Sequence, residues 1–77
     1  MFEQVRDIIA TYKRIDPKSV TMDSALVKDL GLSSLDLVSL VSIFEDTFDF
    51  ELDEEAIPKI SKVADIVQLL EEALENN

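Results

Sequence analysis

Chemistry has few places to reside in this chain. Two serines stand together in Gly31-Leu32-Ser33-Ser34-Leu35-Asp36-Leu37-Val38-Ser39-Leu40, where a glycine gives way to a strongly apolar segment. Ser33 with Asp36 three residues later is a capping-box-like pattern, and it predicts a helix beginning there. A hydroxyl at a helix start ordinarily satisfies free backbone N–H groups, and spacing alone reads the serines that way. The same geometry also seats a phosphate, because unpaired amides and the positive end of the helix dipole favour an anion. A serine bearing a phosphate ester is therefore electrostatically at home in this segment.

What the sequence lacks narrows the field further. With no His and no Cys, the chain offers no Ser/His/Asp triad, no Cys/His dyad and no imidazole or thiolate zinc site. No Gly-rich phosphate loop is present. Asp49, Glu51, Asp53, Glu54 and Glu55 gather acidic charge, but without the alternating ligands and central Gly of a calcium loop they read as a solvated surface. No catalytic residue and no metal ligand is expected. Seven Lys and Arg against seventeen Asp and Glu leave a formal charge of −10. That charge repels nucleic acid and anionic lipid headgroups and makes basic protein surfaces the natural complement, although it equally serves plain solubility. No apolar run is long enough to cross a bilayer, and MFEQVRD lacks the pattern of a signal peptide. A cytoplasmic, soluble protein without membrane insertion is the expectation.

Seventy-seven residues suffice for one small domain, 1–77, whose stability comes from packing in the absence of disulfides. An apolar content of 47% with one Gly and two Pro fits an all-α class. Phe2, Val5, Ile8, Ile9 and Tyr12 recur at helical spacing and predict a first helix from Phe2 to Lys13, ended by Asp16-Pro17. A long connection follows from Ile15 to Ser33, with Val20, Leu26, Leu30 and Leu32 as pins into the core and a short helical turn expected near Asp23 to Asp29. A second helix is expected to run to about Phe48. At 100° per residue its core stripe comprises Leu37, Leu40, Val41, Phe44 and Phe48, while Leu35, Asp36, Ser39, Ser42 and Asp46 face away, flanked by Val38 and Glu45. Asp53 is expected to start a short helical turn closed by Pro58, with Leu52, Ile57 and Ile60 inward. Ser61 is the expected cap of a final helix carrying Val63, Ile66, Val67, Leu70 and Leu74, with Asp65 facing its positive end. The closing EEALENN segment is expected to fray.

These residues together resemble the bacterial, freestanding acyl carrier protein family along essentially the whole chain. The family's attachment sequence, commonly Asp-Ser-Leu-Asp after a Leu-Gly, is similar to Leu30-Gly31-Leu32-Ser33-Ser34-Leu35-Asp36. Phe48-Asp49-Phe50-Glu51-Leu52 resembles the family's segment closing the second helix, and Lys59-Ile60-Ser61-Lys62-Val63 resembles its approach to the last one. The resemblance implies a small acyl-carrier-like bundle of three main helices plus one short helix, with a long first loop. It also implies that Ser34 accepts 4′-phosphopantetheine covalently from coenzyme A through a separate phosphopantetheinyl transferase. The chain is then a phosphoprotein and a carrier rather than an enzyme, taking acyl thioesters through fatty-acid biosynthesis or a specialised polyketide or lipid pathway. Synthase and acyl-transferring enzymes with basic patches are the implied partners, gripping Leu35, Asp36, Val38, Glu45 and Asp46 on a monomer.

Three departures from the family pattern shape that expectation. Ser33 stands where the family usually has Asp, and Ser39 where fatty-acid carriers usually have Glu, so the first half of the partner-facing helix is less acidic. Phe44 and Ile57 are larger than the side chains often found at those core positions, which implies little room for an acyl guest. The competing readings are an unmodified acidic adaptor for a basic partner and, behind it, a calcium-regulated helical module.

Overall fold

The apolar spacing of the first segment builds α1 over Phe2–Lys13 in the computed structural model, which describes residues 1–75. Val5, Ile9 and Ala10 form its buried stripe. The helix stops before Asp16-Pro17: Arg14 takes a left-handed conformation at φ 59°, and the N–H groups of Arg14 and Ile15 both reach the Ala10 carbonyl. Pro17 then opens a single 3₁₀ turn, Pro17–Ser19, instead of ending a helix, and the Asp16 side chain caps it by accepting from Lys18 N.

The long connection is ordered by its own hydrogen bonds and by the pins expected of it. Val20, Leu26, Leu30 and Leu32 are all buried. No helix forms between Asp23 and Asp29. The Leu26–Leu30 stretch is a widened turn instead, with Asp29 N and Leu30 N both reaching the Ala25 carbonyl, and Leu32 N that of Leu26. The Asp29 carboxylate also accepts from Ala25 N at 2.8 Å and closes the turn on itself. Gly31 follows at φ 67°, a left-handed position that favours glycine, and the chain turns there into the next helix.

Helix α2 spans Ser34–Phe48, with Leu40, Val41 and Phe44 buried and Leu37 and Phe48 half-buried, as the stripe requires. Asp49 closes it in a left-handed conformation. The 3₁₀ helix Glu54–Lys59 is capped by Asp53 as expected, but Pro58 lies inside it instead of closing it. Helix α3 spans Val63–Glu75 and buries Val63, Ile66, Val67 and Leu70. It stays helical through Glu71–Glu75, where fraying was expected; Asn76 and Asn77 lie outside the described residues.

Among the described residues the architecture is therefore all-α: three main helices, one short 3₁₀ helix and one 3₁₀ turn. Helix α1 contacts both α2 and α3, and one core runs through all of them, centred on Phe44, Ile9, Leu26, Leu32, Leu40 and Leu70. The long connection is fastened to the start of α3: Leu26 N donates to the Ser61 carbonyl, Val63 N to that of Ser24 and Ala64 N to that of Met22. This clamp ties the middle of the connection to the entry of α3.

Candidate functional site

The first turn of α2 is built by a reciprocal cap. Ser33 sits in an extended conformation and its Oγ accepts from Asp36 N at 3.2 Å, while Asp36 Oδ2 accepts from Ser33 N at 2.8 Å. The two adjacent serines thereby part ways. Ser33 is engaged in the cap. Ser34, the first residue of the helix, is exposed, and among the described residues its hydroxyl makes no hydrogen bond. Ser34 N and Leu35 N likewise find no acceptor there, since the first helical bond runs from Leu37 N to the Ser33 carbonyl. A free hydroxyl beside two free N–H groups at the positive end of a fifteen-residue helix suits a phosphodiester on Ser34.

Tyr12 of α1 reaches this turn, donating to Asp36 Oδ1 at 2.8 Å. Asp36 is held below the ordinary aspartate range, first by the Ser33 N–H and then by the Tyr12 hydroxyl. The Tyr12 phenol is pushed up by the same carboxylate.

The residues expected to meet partners divide into two kinds. Leu35 is 80% exposed, Val38 is 50% exposed and Asp46 is exposed as well. Asp36 and Glu45 are half-buried, and their carboxylates hold backbone. Glu45 Oε2 accepts from Leu52 N at 2.9 Å, and the Glu45 carbonyl accepts from Phe50 N, so this residue folds the chain back after α2 and directs Phe50 and Leu52 toward the core. No sequence motif marked that task, because the bond spans seven residues across a turn.

Between α2, the Phe50–Leu52 segment and α3 lies an apolar cavity of about 10 Å³, lined by Val41, Phe44, Phe50, Leu52, Ile66 and Leu70 among others. It is about the size of one water-sized sphere. Phe44 lines it; Ile57 is half-buried and does not.

A family-wide sequence profile described as Phosphopantetheine attachment site matches residues 3–70. The acyl carrier protein of Clostridium acetobutylicum is 41% identical over 70 residues, covering 91% of each chain. The chain belongs to the acyl carrier protein family. A second relative, the acyl carrier protein of Akkermansia muciniphila, is 42% identical over 69 residues, covering 90% of this chain and 86% of its own. The crystal structure of an acyl carrier protein from Thermotoga maritima superposes with a TM-score of 0.83 at 32% identity, covering 95% of this chain and 85% of that one. As a family member the chain is a carrier rather than an enzyme, and its prosthetic group is 4′-phosphopantetheine. Among the described residues, no helix is long and apolar enough to cross a membrane, and no cluster of three or more acidic side chains is arranged to hold a metal ion.

Proposed function

We propose that Ser34 is the attachment point of 4′-phosphopantetheine and that the chain carries acyl intermediates as thioesters on that arm. When bound, the arm supplies the thiol that a cysteine-free chain lacks. The observation that carries the assignment is the split between the two serines: Ser33 Oγ is used by the cap, whereas Ser34 Oγ is exposed beside free N–H groups. Leu35, Val38 and Asp46 form the accessible part of the partner-binding surface, with Asp36 and Glu45 adding negative charge behind it. Basic patches on the phosphopantetheinyl transferase and on synthase or acyl-transferring enzymes complement it, aiding encounter and register more than affinity. A cytoplasmic monomer completes the reading.

Fatty-acid synthesis and a specialised polyketide or lipid pathway both use such a carrier. Ser33 and Ser39 in place of acids favour the specialised role, and the large Phe44 and Ile57 side chains favour short or polar cargo, or cargo left outside the bundle. Loading acyl chains of increasing length and following the thermal midpoint tests this; steady stabilisation by longer chains would refute it.

The attachment itself is tested by incubating the protein with coenzyme A, Mg²⁺ and a broad-specificity transferase and then weighing it intact. A gain of one phosphopantetheinyl group is expected, lost in Ser34→Ala and kept in Ser33→Ala. No gain by the wild type leaves an unmodified acidic adaptor as the reading.

A further inference from the structure

Tyr12 belongs to a different helix from the attachment segment, and its apolar ring alone accounts for its place in the α1 stripe. Its hydroxyl does something the ring does not. The Tyr12–Asp36 bond ties α1 to α2 at 2.8 Å, bridging 24 residues of sequence. Away from the Tyr12 group the side-chain bonds stay local, the longest spanning seven residues. Apolar contact between α1 and α2 is non-directional, whereas a hydrogen bond at 2.8 Å selects an orientation.

Asp36 is held from opposite sides, Oδ1 by Tyr12 and Oδ2 by Ser33 N. Rotation about the terminal torsion of an aspartate is soft and roughly two-fold. One anchor leaves the carboxylate plane free to swing; two fix it. Ser34 lies between the two residues so fixed. Ser39 and Lys13 also face the group: the Ser39 hydroxyl acts on the phenol oxygen, and the Lys13 charge acts on Asp36.

We propose that Tyr12 is a positioning residue for the modification of Ser34. Through Asp36 it fixes the Ser33–Asp36 turn against α1 and so presents the Ser34 hydroxyl, with the Ser34 and Leu35 N–H groups, in one orientation to the incoming transferase. The inference rests on the reading of Ser34 as the attachment point. Without the phenol, only the fraction of molecules with the turn in place docks productively, which raises apparent KM by the reciprocal of that fraction and leaves the bound step alone.

The test is the full-length Tyr12→Phe protein, which keeps the ring and its packing. Two quantities are measured: kcat and KM for phosphopantetheinylation by intact mass, and the Asp36 titration by carboxylate-detected NMR. Asp36 should titrate at higher pH than in the wild type, and KM for the carrier should rise roughly threefold to tenfold while kcat changes by less than about twofold. An unmoved Asp36 titration means the bond is absent in solution and overturns the proposal. A shifted titration with unchanged KM, whatever happens to the thermal midpoint, makes the bond structural only and overturns it equally. Failure of the wild type to gain mass would instead defeat the Ser34 reading, a result distinct from equal loading of wild type and variant.

Discussion

The starts of α2 and α3 face the same problem, backbone N–H groups with no helical acceptor, and draw their acceptors from different places. At α3 the long connection supplies them: the carbonyls of Ser24 and Met22 take Val63 N and Ala64 N. Asp65 turns back over this junction, its Oδ2 accepting from Ser61 N, Lys62 N and Ser61 Oγ. At α2 the acceptors are local side chains, and the cap uses Ser33 and Asp36 while leaving Ser34 N and Leu35 N open. One helix start is sealed by tertiary structure and serves as a joint. The other is left able to receive an anion. Two helix starts with serine and aspartate at similar spacing thus diverge through what the rest of the chain lays over them.

Removing the carboxylate that turns back over the α3 junction should cost stability without touching the site. Asp65→Ala strips one carboxylate from three donors, and a loss of about 1–2 kcal/mol is expected, read as a fall of roughly 5–10 °C in thermal midpoint. Loading at Ser34 should continue at the wild-type rate; slowed loading in proportion to the lost stability would erase the distinction between the two helix starts. Ser33→Ala should cost about 1 kcal/mol by denaturant titration, since only one of the two reciprocal cap bonds disappears.

Acidification probes both starts together. Asp65 is held below the ordinary range chiefly by the Ser61 and Lys62 N–H groups, and Asp36 chiefly by the Ser33 N–H. A depressed folded pKa gives stability that is present above the unfolded value, near pH 4, and is lost as pH falls through the folded one. The thermal midpoint should therefore drop on the acid side, and in Asp65→Ala the drop should be shallower. Smallest of all, Leu35→Ala should leave stability within about 0.5 kcal/mol of wild type, because the side chain is 80% exposed. A larger loss would mean that Leu35 serves the fold.

Periodicity made the three helices legible, and α1 spans the residues expected because its stripe and its composition agree. Ser33 and Asp36 were legible for the same reason, since a capping box is written within four residues. What escaped is non-local. Ser61 reads as an ordinary cap, yet its Oγ donates to Asp65, and α3 is capped instead by carbonyls some forty residues earlier in the chain. Pro58 reads as a stop, but a 3₁₀ helix accommodates it. The Asp23–Asp29 stretch reads as a helical turn, and there Asp29 N alone makes an α-helical bond, to the Ala25 carbonyl, before Leu30 N widens the turn on the same acceptor. At the site, Tyr12 and Glu45 were visible only as a core residue and a surface acid, and their partners come from another helix and from across a turn.

The central claim, that the free serine and not the capping serine bears the arm, is most directly tested by fragmenting the loaded wild-type protein in the mass spectrometer. N-terminal fragments ending at Ser33 should be unmodified and those ending at Ser34 should carry the phosphopantetheinyl group; the added mass appearing already at Ser33 would contradict the account.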